Sequence, residues 1–239
     1  MRYGLWGLIV LVGLLGGCPG AGSGVVDLTF DFSQGDEGWE AGVADYSPDN
    51  EIEFETDVRE LPAELDPEGT GLFISGRNSS DDLFLFLTRE VGPADGVQAN
   101  QAYEVSFTIV FASNAPSGCA GVGGAPGEGV TLKAGATATQ PQVVLDQDFY
   151  SLNVDKGQQT IGGPAASVVG DIANGIECEA ALEQGSPYVS LTRNHAHDTT
   201  VTADATGRLW LLVGTDSGFE ATTALYYQRI DVTLTAVAE

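Results

Sequence analysis

Residues 103–111 read Tyr-Glu-Val-Ser-Phe-Thr-Ile-Val-Phe. Tyr103, Val105, Phe107, Ile109 and Phe111 share one parity, while Glu104, Ser106 and Thr108 take the other. Successive side chains of a β-strand leave opposite faces of its sheet, so this alternation describes a strand with one buried and one wet face. Val25 to Phe32 repeats the pattern, with Leu28, Phe30 and Phe32 inward and Asp27, Thr29 and Asp31 outward. Leu83 to Leu87 is apolar on both parities, as an interior strand covered on both faces would be. Further strands are expected at Ile52 to Thr56, Leu72 to Ser75, Val130 to Lys133, Tyr150 to Val154, Tyr188 to Thr192, Leu209 to Val213 and Leu225 to Ala236. Turn signals separate them, among them Gly35-Asp36-Glu37-Gly38, Asp66-Pro67-Glu68-Gly69, Gly162-Gly163-Pro164 and Asp216-Ser217-Gly218. Only Asp171 to Glu183 has the composition of a short helix. Many short strands with frequent glycine turns and recurring inward aromatics predict an all-β chain of two packed sheets, a β-sandwich.

Composition agrees and narrows the function classes. Of 239 residues 43% are hydrophobic and 18% charged, enough apolar material for one large β domain and too much for disorder. The charged residues are unbalanced, with 34 Asp and Glu against 9 Lys and Arg and a formal charge of -25. A surface so acidic repels phosphate backbones and anionic headgroups, which excludes nucleic acid as a partner and a basic patch as a membrane anchor. Only Lys133 and Lys156 are lysine.

A different anchor is written at the N-terminus. Arg2 precedes an apolar run from Leu5 to Leu15, which is too short to span a bilayer and the right length for a secretory leader. Leu15-Gly16-Gly17-Cys18 follows and resembles a bacterial lipobox. That resemblance implies a signal peptide over 1–17, acylation of Cys18, and a protein held by lipid in the cell membrane or outer membrane, facing the periplasm or exterior. Two or three acyl chains, at about 0.8 kcal/mol per buried CH₂, make a stable anchor without help from protein charge. Residues 18–24, rich in Gly, form a tether, and 25–239 is read as one domain.

In an oxidising compartment the two remaining cysteines, Cys119 and Cys178, are expected to form a disulfide. Both lie in the segment from about 114 to 194, which carries a glycine-rich stretch and little periodicity. It is read as a disulfide-stapled insertion on a sandwich made by the two ends, with membership of the sheet itself as the alternative.

Phe30-Asp31-Phe32-Ser33 leading to Gly38-Trp39, Gly71 to Arg77, Tyr103 to Phe107, and Tyr226 to Leu234 resemble, in this order, successive strands of jelly-roll carbohydrate-binding modules. The resemblance implies a jelly-roll-type β-sandwich and a glycan or cell-surface partner. It also implies a structural calcium between acids of the first and last strands, here Asp31 and Asp231, since a hard cation needs clustered oxygens. The family's closing strand often has two adjacent Asp, where this chain has Ile230-Asp231. Sugar rings stack on flat aromatics and bond to planar polar groups, so Trp39, Tyr46 and Arg77 are the candidate glycan-binding residues. Core packing for Trp39 and a surface ion pair for Arg77 are the competing readings.

No catalytic residue is assigned, and each catalytic pattern has a plainer reading. Glu51-Ile52-Glu53-Phe54-Glu55 resembles the acidic strand of jelly-roll β-glucanases, where carboxylates on one face act as nucleophile and acid. A hydrolase or lyase using Glu51 and Glu55 is therefore the enzymatic alternative, and a half-buried strand with solvated glutamates the plain one. Asp216-Ser217-Gly218 has Phe219 where an aspartic protease carries a hydroxyl, and it is read as a turn. His195 and His197, two apart, would share one strand face and could hold zinc or copper with Asp198, or sit in a polar loop. A Ser-His-Asp triad would need one of these two histidines. Non-catalytic recognition of a glycan or partner surface is the preferred function, and a structural envelope lipoprotein without a small ligand is the third reading.

Overall fold

The structure, a computed structural model, describes residues 24–66, 68–79 and 82–238. The leader and Cys18 lie outside the described residues. In chain order the strands are β1 (Val25–Asp31), β2 (Glu40–Ala44), β3 (Phe54–Glu60), β4 (Thr70–Arg77), β5 (Leu83–Val91), β6 (Ala102–Ser113) and β7 (Val130–Thr137). They continue as β8 (Val143–Asp146), β9 (Phe149–Leu152), β10 (Ser167–Asp171), β11 (Val189–Ala196), β12 (Val201–Thr202), β13 (Leu209–Ser217) and β14 (Thr222–Ala236). One short helix, α1 (Cys178–Gln184), lies between β10 and β11.

Two sheets pack face to face. One runs β11-β6-β14-β4-β3, with β1 also on β14 and β12 on β6, and the other runs β10-β7-β13-β5-β2. All the pairings are antiparallel. The alternation in β6 is observed as read: Tyr103, Val105, Phe107, Ile109 and Phe111 are buried and Glu104 and Ser106 face solvent. Leu85, Leu87, Leu211 and Val213 meet this row from the opposite sheet in one continuous core. The long β14 changes parity midway, burying Leu225 and Tyr227 and then Ile230, Val232 and Leu234. A bulge between Tyr227 and Arg229 absorbs the extra residue, so one strand buries two apolar rows out of phase.

The Cys119–Cys178 disulfide is present and links residues 59 apart in sequence. The segment it staples does more than decorate the sandwich. Its β7 is an interior strand of the five-stranded sheet, and its β10 and β11 are edge strands of the two sheets. What the disulfide ties together is the glycine-rich excursion before β7 and the start of α1, beside a parallel bridge between Ser117 and Glu177. Two other readings are corrected. The acidic pattern at 51–55 is not one strand, since β3 begins only at Phe54. Asp216 and Ser217 belong to β13 and are buried, with Asp216 opposite Phe84 and Thr131, because buried lysines satisfy the carboxylate and the strand needs no turn there.

Candidate functional site

The outer face of the five-stranded sheet is not bare. Ala44, Phe84, Phe86, Leu152, Ala166 and Leu212 form a second apolar cluster there, separate from the main core. A Cβ on Gly214 would fall 2.6 Å from the Phe84 ring, so glycine at this position is what lets the ring lie across β13. Beside the rings, β7 and β13 bring Lys133 and Asp216 onto the same outer face, with Lys133 opposite Gly214 and Asp216 opposite Thr131.

Both lysines of the chain converge on Asp216. Its Oδ2 accepts from Lys133 Nζ at 2.8 Å, Lys156 Nζ at 2.7 Å and the Gln159 backbone N–H at 2.9 Å. Lys156 also pairs with Asp45 at 2.6 Å and lies 4.7 Å from the centre of the Phe84 ring. Lys133 donates further to the carbonyls of Lys156 and Ile161. Asp82 closes the group, its Oδ2 accepting from Gln158. Burial, with the negative charges of Asp216 and Asp45, pushes the Asp82 carboxyl up to about 7. Burial also raises Asp45, which Lys156 only partly offsets, and lowers Lys133. Against the same burial, Lys156 and Lys133 hold Asp216 below the usual carboxylate range, and Asp216 and Asp45 keep Lys156 above that of a free lysine. Oxygens of Asp45, Asp82 and Asp216 lie within 4.8 Å of one another, the spacing of a cation site. Lys156 stands between Asp45 and Asp216, so an ammonium already holds the place a metal would take.

A hairpin of β8 and β9 overhangs this row. Gln147 and Asp148 at its tip both have positive φ, as a two-residue turn matching the strand twist requires. Tyr150 bridges in both directions to Tyr46, just past β2, and their rings lie 4.9 Å apart. Between hairpin and sheet opens a cleft of about 320 Å³ with Asp45, Asp82 and Lys156 on its floor. Phe149, 37% exposed, forms one wall, and Asp155 and Gln158 form another. The cleft joins an accessible aromatic surface to fixed donors and acceptors.

His195 and His197 meet a different partner from the one expected. Ser167 Oγ lies 2.7 Å from His195 Nε2 and 2.8 Å from His197 Nδ1. The carbonyl of Pro164 can only accept, so His197 Nε2 carries a proton and, in neutral His197, Nδ1 accepts from Ser167. Ser167 in turn accepts from His195 and from the Asp198 backbone N–H. This is a nucleophile-and-base contact in form. Ser167 is only 1% exposed, however, and the chain of bonds instead ties edge strand β10 of one sheet to edge strand β11 of the other. Burial lowers both imidazoles, against the pull of Asp198. The unfolded chain therefore binds more protons, and stability present above the ordinary value of about 6.5 is lost as pH falls through and below it. Asp82, raised to about 7, works in the opposite sense over the same range. The histidine contribution is therefore read by difference: wild type should lose stability on acidification relative to a variant with both histidines replaced by Gln. Parallel pH profiles for the two proteins would refute the assignment.

The candidate glycan residues do not form one site. Trp39 is 4% exposed and packs edge-on against Phe30 and Phe32, so core burial takes it out of sugar stacking. Arg77 is exposed at the end of β4 in one sheet, while Tyr46 follows β2 in the other, with its ring against Tyr150 of the hairpin. Glu55 is exposed and paired with Arg59 at 3.1 Å, and neither it nor Glu51 lines the cleft. Asp31 and Asp231 sit diagonally on the paired strands β1 and β14, as the resemblance required. Asp31 caps Ser33, while Asp231 accepts from Thr29 and Arg229, the residue opposite Asp31. A guanidinium thus neutralises half of the pair, which does not fit a calcium ion. The buried charge row was missed because nothing in sequence joins Lys133 to Asp216. A lysine inside the apolar run Val130 to Ala136 was the available signal.

The chain is thus a β-sandwich with a charged, aromatic-walled cleft on one sheet. No family model and no curated protein matches it. Among solved structures it is similar to carbohydrate-binding modules from the beta-sandwich super family, at 11% identity and TM-score 0.38 over 83% of this chain and 58% of that one. It is also similar to TmCBM61 in complex with beta-1,4-galactotriose, at 12% and 0.36, covering 84% and 92%. A third is a family 11 carbohydrate-binding module from Clostridium thermocellum with a mixed-linked tetrasaccharide, at 10% and 0.34, covering 90% and 98%. These TM-scores lie below 0.5, so the fold stands on the sheet topology and the site on its own geometry.

Proposed function

We propose that this is a lipid-anchored extracytoplasmic β-sandwich that recognises a glycan, without catalysis, in the cleft beneath the β8–β9 hairpin. The observation that carries the reading is the accessible Phe149 ring beside a floor of Asp45, Asp82 and Lys156. A sugar presents C–H faces that pack on such a ring and hydroxyls that bond to carboxylate, amide and ammonium groups. Cys18 supplies the anchor, and replacing it with Ser should release the chain from membranes into the soluble fraction. Continued sedimentation with membranes would remove the lipid from the proposal.

The soluble domain from Val25 onward should be retained by at least one polysaccharide on a glycan array. Phe149→Ala should weaken that retention about tenfold, equivalent to ~1.4 kcal/mol. No retained glycan, with or without added calcium, would leave the structural envelope role in its place.

A further inference from the structure

Lys133 and Asp216 are both fully buried, on neighbouring strands of one sheet, with Nζ in hydrogen-bond contact with Oδ2. We propose that the two side chains are joined by an isopeptide bond formed within the folded domain, with Asp82 transferring the protons.

Amide formation needs a neutral amine against a carboxyl carbon, donors for the developing oxyanion, an acid for the leaving oxygen, and little competing water. Each has a counterpart here. The pairing of β7 with β13 brings Lys133 Nζ to 2.8 Å from Oδ2 of Asp216, and the carbonyls of Lys156 and Ile161 hold its amine in place. Burial favours the uncharged form of Lys133. Lys156 differs: although it touches the same oxygen, its second carboxylate, Asp45, keeps it an ammonium. It and the Gln159 N–H therefore point at Oδ2, where negative charge gathers when nitrogen attacks. The other oxygen, Oδ1 of Asp216, has no donor, and neither does Oδ1 of Asp82, although both are buried. An oxygen of Asp82 lies within 4.8 Å of one of Asp216, and burial beside that negative charge favours the protonated Asp82 carboxyl.

The atoms balance without any further reagent. A proton passes from the Lys133 ammonium to Oδ1 of Asp216 by way of Asp82. The nitrogen lone pair then attacks the carboxyl carbon, forming the C–N bond and placing negative charge on Oδ2. Asp82 takes a proton from nitrogen and delivers it to Oδ1, the C–Oδ1 bond breaks, and water leaves toward the cleft. One ammonium and one carboxylate become one amide and one water, and Asp82 is regenerated. The product replaces a buried ion pair by a neutral group whose carbonyl keeps the Lys156 and Gln159 donors.

Mass spectrometry of the full chain, denatured and reduced, tests this. Wild type should be one water lighter than its sequence when calibrated against Asp216→Ala, which cannot close the bond. Trypsin should fail to cut after Lys133 and should release residues 90–156 joined to 209–229. Asp82→Ala should remain folded and lose the linkage. A full-mass wild type, or cleavage after Lys133, overturns the proposal, whether or not the Asp82 variant folds. A linked pair of 134–193 with 209–229 would place the bond on Lys156 and overturn the assignment to Lys133. None of these readouts depends on glycan binding.

Discussion

Asp216→Ala should destabilise the domain by about 3–5 kcal/mol, the penalty for removing one partner of a fully buried ionic group. The substitution leaves Lys156, 4.7 Å from the centre of the Phe84 ring, with Asp45 alone as its carboxylate partner. Lys133, fully buried, loses its one carboxylate partner and keeps only carbonyl acceptors. The loss is at least as large where the pair is linked as an amide, since the covalent tie goes as well. Urea unfolding followed by fluorescence is the measurement. A change below about 1 kcal/mol would mean that water enters the row and solvates the lysines. Replacing Lys133 and Asp216 together by apolar residues of similar volume should recover much of the loss, because removing both charges also removes their desolvation penalty.

Replacing Cys119 and Cys178 with Ser should lower stability by about 4 kcal/mol in the chain-entropy account of a loop this long. The residues are 59 apart in sequence, so the open chain gains a large set of conformations when the link is cut. The damage should be uneven. The disulfide joins a glycine-rich excursion to a seven-residue helix with no buried residue, while β7 and β11 are held by their sheets. Proteolysis of the double variant should begin in residues 114–129 and 172–188, ahead of the sandwich core. Equal midpoints for oxidised and reduced protein would show that the native contacts around Asn174, which bonds Ser186 and Pro187, already fix this region.

The strands that sequence predicted best are those whose two faces meet different surroundings. β1, β6 and β14 alternate because one side packs on the core and the other meets water. β2, with small residues in Glu-Ala-Gly-Val-Ala, and β10, in Ser-Val-Val-Gly-Asp, carry no such contrast and went unread. β8 was missed for the opposite reason: its apolar residues are exposed on the hairpin. The site was less legible. Tyr46 was singled out and packs on Tyr150 of the hairpin without lining the cleft, and Trp39, the strongest sugar-stacking candidate by residue type, is a core residue held by Phe30 and Phe32. Residue type cannot report which face of a strand an aromatic lies on when no alternation surrounds it.

Sequence by itself determined the all-β class and the two-sheet packing, because periodicity is a local property of the chain, and it pointed to the cysteine pairing once Cys18 was set aside by its resemblance to a lipobox. Tertiary structure decided which charges meet. Lys133, Lys156 and Asp216 are distant in sequence and become neighbours only through the antiparallel register of β7 against β13 and the return of the hairpin over the sheet. A strand shifted by one residue would place Asp216 on the opposite face of its sheet, so this cluster exists only in the folded pairing.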